Sequence, residues 1–176
     1  MSGHQVVEKL VFFNPDDRKS WQEGGLWPHS THGGFAEAAA AAHYLLRGYQ
    51  VLYDFCTTNR DISGRTQLVQ STRYMHAVVG DEVSDFLCTE LAAHNPRGHG
   101  EPDLFVFRED RPRDPKYHFD DQRLWFFVEV KGPGDSVRDN QRAWWSEFAD
   151  RFGSERIELV RVVPQGQNPT PQTIEY

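Results

Sequence analysis

The chain has 176 residues, of which 26 are Asp or Glu and 19 are Lys or Arg, giving a formal net charge of −7 with 38% apolar residues. A chain of this length buries enough surface to fold as one domain without a disulfide or a structural metal, and its acidic balance argues against a protein that holds nucleic acid by bulk positive charge. No apolar stretch approaches the roughly 18 residues of a membrane span, the N-terminus is unlike a signal peptide, and Cys56 and Cys88 show no paired metal spacing. We therefore predict a soluble protein of the reducing cytoplasm.

The N-terminal part of the sequence predicts a strand, a loop, a helix and a second strand. The Val- and Phe-rich residues 5–13 end at Asn-Pro-Asp-Asp, which is typical of a turn after a strand. The Gly- and Pro-rich residues 20–34 predict a loop. Residues 35–47 contain six alanines and precede Gly48, so we predict a helix there. The alternating residues 49–55 predict the next strand.

The middle of the chain gives a weaker pattern. A polar stretch with three arginines follows Cys56, and the apolar spacing of residues 81–93 predicts a helix. Residues 95–100, with one proline and two glycines, predict a loop.

The C-terminal part predicts two strands, an amphipathic helix and a last strand. In chain order these are residues 104–107, 124–131, 139–152 and 157–163. The charged residues 108–121 predict a solvated connection between the first two strands. This order of elements predicts an α/β sheet covered by helices in a single domain, with residues 1–34 as an N-terminal extension, 35–163 as the core and 164–176 as a tail.

Two opposite charges lie near the end of the apolar run at residues 125–132. Glu129 and Lys131 are two residues apart, so on a strand both side chains point to one face. Burial of such charges costs several kcal/mol per ion unless each is well paired. A structural ion pair or a strand edge at the surface explains them as well as a functional site does. Pro102-Asp103 favours the site, because Asp103 begins the preceding strand and can converge with Glu129 if the two strands pair.

Two converging carboxylates beside a lysine suit metal-assisted hydrolysis of a phosphodiester. Mg²⁺ takes oxygen ligands and keeps several waters. Such an ion lowers the pKa of a bound water and stabilises the charge that grows on the phosphoryl oxygens. The ammonium group of Lys131 would orient the attacking water or stabilise that charge.

Two longer segments extend this pattern: Gly100-Glu-Pro-Asp-Leu-Phe-Val-Phe107 and Phe127-Val-Glu-Val-Lys-Gly-Pro-Gly-Asp-Ser-Val-Arg-Asp-Asn-Gln-Arg-Ala-Trp144. Together they resemble the PD-(D/E)XK nuclease superfamily and, more narrowly, its VRR-NUC branch. The short Asp…Glu-X-Lys pattern occurs by chance in many proteins, whereas the Gly-Pro-Gly-Asp and Asn-Gln-Arg-Ala-Trp extension is far more specific. The resemblance implies a restriction-endonuclease-like core, in which a central mixed β-sheet is flanked by helices.

The resemblance also implies site residues. Asp103 and Glu129 would bind Mg²⁺ or Mn²⁺ together with the backbone carbonyl of Val130, and Lys131 would be the catalytic lysine. Gln141 corresponds to the glutamine of the helix after the Gly-Pro-Gly turn.

The helix that carries Gln141 has a core-facing stripe of large aromatic residues beginning at that glutamine. The stripe consists of Trp144, Trp145, Phe148 and Phe152. A glutamine on this buried face fits a role in positioning water or the other site residues. An ordinary capping or boundary glutamine is the alternative.

A further acid is expected from the first helix, because the superfamily usually places one there. Glu37 is the only carboxylate in residues 35–47 and shares a helix face with Ala41 and Tyr44. We predict that Glu37 completes the catalytic and metal site. The alternative is an exposed first-turn glutamate favoured by the helix dipole. Asp135 is assigned to the turn that enters the last helix.

Histidines give a competing signal, since eight in one domain suggest a zinc site or a general base. The loosely spaced pairs are His29 with His32 and His94 with His99. None has the His-X-X-X-His spacing of a helical zinc site, so the carboxylates are the preferred metal ligands.

Basic side chains supply candidates for contact with the phosphate backbone of DNA: Arg60, Arg65, Arg73 and Arg97, with Lys9. A merely solvated surface is the alternative for each of them.

The resemblance implies a Mg²⁺- or Mn²⁺-dependent DNA endonuclease in repair, recombination or replication, with Holliday junctions, flaps or other branched DNA as substrate. It also implies a homodimer, by similarity to compact junction resolvases, and a cytoplasmic protein that is nucleoid-associated when acting. No membrane and no organic cofactor are expected. The alternatives are a defence or mobile-element nuclease with little structure preference and a non-catalytic DNA-binding module; RNA also remains open as a substrate.

Overall fold

In the computed structural model, the strands form one sheet and helices connect several of them. The structure describes residues 3–24, 34–53, 55–57, 66–95, 99–108 and 123–176. The strands are β1 (Gln5–Phe13), β2 (Gln50–Leu52), β3 (Leu104–Phe107), β4 (Trp125–Lys131), β5 (Ile157–Pro164) and β6 (Thr173–Glu175). The helices are α1 (Pro15–Gly24), α2 (Phe35–Leu45), α3 (Thr66–Val79), α4 (Asp81–Phe86), α5 (Ala92–His94) and α6 (Asp139–Phe152). Within these residues no helix is long and apolar enough to cross a lipid bilayer.

The described strands form a mixed sheet in the order β2-β3-β4-β5-β1-β6. β3 pairs antiparallel with both β2 and β4, whereas β5 pairs parallel with both β4 and β1. Every residue of β3 and β4 is buried, as expected for central strands covered on both faces. The prediction of an α/β fold with a mixed sheet flanked by helices, as in the restriction-endonuclease-like core, is confirmed.

Helices pack on both faces of the sheet and divide the core into two apolar clusters. On one face, Phe105, Phe127 and Leu159 belong to the same cluster as the aromatic side chains of α6. Trp144, Trp145 and Phe148 are at most 2% exposed, which confirms the predicted core-facing stripe. On the other face, α2 packs through Ala40, Ala41 and Tyr44. Alanine side chains bring this helix close to the strands.

Two helices were not expected from the sequence. The buried stripe of α3, Leu68, Thr72, Met75 and Val79, has helical spacing. Its second member is polar and its neighbours are mostly polar too, which hides the apolar period. The turn assigned at the end of β1 instead begins α1, where the Asn14 side chain accepts a hydrogen bond from the Asp16 backbone N–H at 3.0 Å. Pro15 and the acidic Asp16 and Asp17 suit a first helical turn. Residues 20–24 of the predicted loop therefore belong to α1, and its residues 25–33 lie outside the described residues.

Other boundaries also differ. The predicted helix at residues 81–93 contains a π-helical turn, Leu87–Leu91, between α4 and α5. The predicted tail contains β6, which pairs antiparallel with β1 through Val6 and Ile174. A three-residue edge strand with alternating exposure carries too little pattern to be found from sequence.

Candidate active site

The pairing of β3 with β4 brings two carboxylates together. Leu104 lies opposite Val128 in this antiparallel pair, so Asp103, just before β3, faces Glu129. The Asp103 Oδ2 atom accepts a hydrogen bond of 2.7 Å from the backbone N–H of Val130. The structure thus places Asp103 beside Glu129, at the end of a buried strand.

Lys131 and Gln141 complete a buried cluster around Glu129. The Lys131 Nζ atom donates to Glu129 Oε1 at 2.7 Å and to Gln141 Oε1 at 3.0 Å. The Gln141 side-chain amide also donates to Glu129 Oε1. Glu129, Lys131 and Gln141 are 1%, 6% and 8% exposed, so these hydrogen bonds are shielded from water.

Gln141 makes the contacts expected of both alternatives that the sequence left open, and its catalytic role stays a prediction. Its Oε1 atom accepts a 3.0 Å hydrogen bond from the backbone N–H of Arg138 and so caps the first turn of α6. The same oxygen accepts a hydrogen bond from the Lys131 ammonium, while the amide nitrogen donates to Glu129. The capping bond therefore holds the amide in the orientation that contacts both charged groups.

The turn between β4 and α6 is held in place by Asp135 and Arg161. Asp135 Oδ2 accepts a 2.9 Å hydrogen bond from the Gly132 N–H, which agrees with its assignment to the turn. A guanidinium nitrogen of Arg161 donates to the carbonyls of Gly132 and Asp135 at 3.1 and 3.0 Å. This bracing fixes where α6 starts and so where Gln141 lies.

The charged forms of the Asp103 and Glu129 carboxylates are disfavoured in this buried position. Burial raises the pKa of Glu129 well above its usual value, and the charge of Asp103 raises it further against the opposing effect of Lys131. Burial also raises the pKa of Asp103; the Val130 N–H opposes this shift, and the charge of Glu37 adds to it. A positive charge at this place would stabilise the charged forms of both carboxylates.

The donor atoms at this place fit a hard divalent cation. Among the described residues, Glu129 Oε2 is buried without a hydrogen-bond partner, next to the carboxylate of Asp103. Carboxylate oxygens are the ligands that Mg²⁺ and Mn²⁺ prefer. The same part of the chain holds no group of three or more His, Cys, Asp or Glu side chains arranged for a metal. In the presence of such a cation, Asp103 and Glu129 would supply side-chain oxygens, and a backbone carbonyl, water or phosphate oxygen would fill other positions.

Glu37 lies on α2, which packs on the other face of the sheet from α6. It lies in the first turn of α2 and is partly buried, in line with the buried Ala40, Ala41 and Tyr44. Burial is the main cause of the raised pKa of Asp103, and the charge of Glu37 adds to it. Its role in the site stays a prediction.

Gly100 opens the motif that contains Asp103, and its role becomes visible only in the structure. Its φ of +82° lies in the left-handed region, and a Cβ there would overlap the backbone carbonyl of Asn140 and approach the Gln141 nitrogen to 2.8 Å. The segment that carries Asp103 thus packs directly on the first turn of α6. A glycine three residues before the motif aspartate is the signal in the sequence.

The predicted DNA contacts are only partly described. Arg73 is exposed on α3, whereas Arg60, Arg65 and Arg97 lie outside the described residues. Lys9 donates to Glu158 Oε1 at 2.6 Å on the α2 face of the sheet.

Two of the four histidines in the predicted pairs are described, and His94 is the last residue of α5 rather than part of a loop. His94 Nδ1 lies 3.2 Å from Glu147 Oε2, and the His99 backbone bonds to the Asn95 side chain. His29 and His32 lie outside the described residues.

Comparison with known proteins identifies a matching family. The family model of the VRR-NUC domain matches residues 54–164. This span contains Asp103, Glu129, Lys131 and Gln141 and begins after α2, which carries Glu37. No curated protein and no solved structure matches the chain.

Proposed function

Since this chain belongs to the VRR-NUC family, whose members are nucleases, we propose that it hydrolyses phosphodiester bonds of DNA with Mg²⁺ or Mn²⁺ as cofactor. The observation that carries the proposal is the buried pair Asp103–Glu129, in which one oxygen of Glu129 lacks a partner among the described residues, beside the ammonium of Lys131. A structural ion pair would need only one carboxylate for the lysine.

In this proposal Asp103 and Glu129 hold the cation, helped by the backbone carbonyl of Val130, and Glu37 completes the acidic set. A divalent ion in this position supplies two effects: it lowers the pKa of a bound water and stabilises negative charge on the phosphoryl oxygens. The Val130 N–H keeps the Asp103 carboxylate in place through its 2.7 Å hydrogen bond. The surrounding core excludes bulk water, which strengthens each of these interactions.

Lys131 is the residue that we assign to the reacting phosphate or water. An ammonium group has three donors, and within the described residues two of them are used by Glu129 and Gln141. These two bonds fix the direction of the third, which can donate to a phosphoryl oxygen or to the attacking water. A donor that is held in place before the reaction stabilises developing charge without reorganisation.

We further propose that the substrate is branched, flapped or junction DNA. The net charge of −7 supports this, since plain duplex attracts a protein mainly through Lys and Arg. Selectivity for a DNA shape would then replace bulk attraction. The side chains that we propose to contact the DNA phosphates are Arg60, Arg65, Arg73 and Arg97, of which Arg73 is described and exposed.

Cleavage of matched DNA substrates tests this function. Labelled flap, four-way junction and linear duplex of the same sequence, and a single-stranded RNA, are incubated with the protein and Mg²⁺ or EDTA. We expect Mg²⁺-dependent cleavage that is fastest on branched DNA. Equal cleavage of all DNA forms would support the defence-type alternative, and binding without cleavage the non-catalytic one.

A homodimer with one site for each strand of a junction is part of the same proposal. Sedimentation equilibrium of the purified protein, alone and with junction DNA, measures it directly. A monomer on the junction would contradict it.

A further inference from the structure

A partly buried hydrogen-bonded cluster lies next to the segment that carries Asp103. Glu101, two residues before Asp103, accepts hydrogen bonds through Oε1 from the Thr57 backbone N–H at 3.0 Å and from the Thr57 hydroxyl at 2.9 Å. The Cys56 Sγ atom lies 3.5 Å from the same oxygen. A single carboxylate oxygen therefore ties residues 56 and 57 to the segment before β3.

Thr57 extends this cluster to α6. It is 0% exposed, and its hydroxyl, besides donating to Glu101, accepts a 3.3 Å hydrogen bond from Trp144 Nε1. A hydroxyl has one donor, so this geometry uses it on the carboxylate and leaves a lone pair for the indole. Trp144 follows Gln141 by about one helical turn. The contacts thus run from Glu101 through Thr57 to the helix that presents Gln141.

Two further contacts hold the same segment. Gly100 packs against the backbone of Asn140 and Gln141, at a distance that admits no side chain. The Asn95 side chain spans to the His99 backbone, accepting from its N–H at 3.0 Å and donating to its carbonyl at 2.5 Å. Of all these contacts, only that of Glu101 uses a charged acceptor with several donors, which makes it the strongest.

We propose that Glu101 is a positioning residue for Asp103. By bonding to Thr57, and through it to Trp144, Glu101 sets the path of the chain into β3. That path brings the Asp103 carboxylate to the Val130 N–H and beside Glu129. The effect on metal binding rests on the proposed function, whereas the placement of Asp103 is a property of the fold alone.

The test has two readouts, one of which needs no metal. The first is amide hydrogen exchange at Val130 in the metal-free full-length protein, since this N–H bonds to Asp103 Oδ2. The second is the affinity for Mn²⁺ alone, measured by calorimetry. The variants are Glu101→Ala, Thr57→Val, which replaces the hydroxyl by a methyl group, and Thr57→Ser, which keeps the hydroxyl. Glu90→Ala is the control, because Glu90 is an exposed glutamate elsewhere.

We expect Glu101→Ala and Thr57→Val to speed exchange at Val130 by about tenfold, since a hydrogen bond to a charged group is lost. The Val160 amide in β5 should be unaffected, and Thr57→Ser should resemble the wild type. Mn²⁺ should bind about 10- to 100-fold more weakly, as is typical when a group that orients a metal ligand is removed.

Unchanged exchange at Val130 in Glu101→Ala would overturn the proposal. Equal acceleration at Val130 and Val160 would overturn it as well, because it would show a general loss of stability. If the wild-type protein neither binds Mn²⁺ nor cleaves DNA, the proposed function fails, while Val130 exchange still decides the role of Glu101.

Discussion

Glu129 and Glu158 lie on neighbouring parallel strands and point to opposite faces of the sheet, with carboxyl pKa values shifted in opposite directions. The β4–β5 register pairs Val128 with Glu158 and Glu129 with Leu159, which separates the two side chains. Burial raises the pKa of Glu129, and Asp103 adds to this shift. Burial alone would also raise the pKa of Glu158, but its partners lower it below the usual value.

The partners of Glu158 explain the difference. Lys9 Nζ donates to Glu158 Oε1 at 2.6 Å, the Tyr44 hydroxyl donates to Oε2 at 2.5 Å, and Arg123 forms a further ion pair. Glu158 therefore has its positive charge built into the protein. Glu129 shares one lysine with a second carboxylate nearby, which leaves room for an external cation. We infer that the Glu158 carboxylate stabilises the fold, whereas the Glu129 carboxylate takes part in the proposed chemistry.

We expect Glu158→Gln to destabilise the protein by about 2 kcal/mol, because the amide leaves Lys9 and Arg123 without their counter-charge. Since the pKa of Glu158 is lower in the folded state than in the unfolded chain, its contribution is complete above the unfolded value. It is lost as pH falls below about 4.5, through the folded value. Urea unfolding of both proteins at pH 7 and pH 3 measures the difference, which should shrink at pH 3.

The control for this prediction is Glu90→Gln at an exposed position. It should change stability by less than about 0.5 kcal/mol at either pH. A Glu158→Gln difference that is the same at pH 7 and pH 3 would show that the ion pairs do not contribute as we infer.

Lys131→Met should reduce single-turnover cleavage by about 10²- to 10³-fold, since a donor that is oriented toward developing charge is lost. The variant keeps the length of the side chain in a buried place. The matched control is Lys19→Met, which removes an exposed lysine of α1 and should retain cleavage. Cleavage by Lys131→Met at the wild-type rate would exclude the lysine from the mechanism.

Mg²⁺ or Mn²⁺ should raise the melting temperature of the wild-type protein, because the ion binds carboxylates that repel each other in the folded state. At a concentration of about 100 times Kd the stabilisation is about 2.7 kcal/mol. Asp103→Asn should stabilise the metal-free protein, by removing that repulsion, and should abolish the shift. Thermal melts with and without EDTA test both effects; an undiminished metal shift in Asp103→Asn would place the metal elsewhere.

Glu37→Ala should weaken Mg²⁺-dependent cleavage by about tenfold or more if Glu37 completes the acidic set, since its charge already acts on Asp103. Folding should be little affected, because Glu37 is only partly buried. Glu90→Ala again serves as the control for the loss of a glutamate. Wild-type cleavage by Glu37→Ala at limiting Mg²⁺ would remove Glu37 from the site.

The sequence by itself determined the class of fold and the strand that carries Glu129 and Lys131. An apolar run such as β4 has to be buried, and a period of two puts residues 129 and 131 on one face. The aromatic stripe of α6 likewise predicted its buried face. These features depend on neighbours in the chain, and local periodicity reports them. Where the period was obscured by polar residues, as in α3, or the element was short, as in β6, prediction failed.

Only the tertiary structure decided which distant groups meet. Gln141 caps α6 and also touches Lys131 and Glu129, Glu101 bonds to Thr57 across the core, and Glu158 is enclosed by Lys9 and Tyr44. Apart from the local capping bond, these contacts join residues that are 10 to 149 positions apart. They depend on how helices pack on the sheet, and hydrogen-bond geometry is sensitive to shifts of a few tenths of an ångström. No local pattern encodes a distance of that precision.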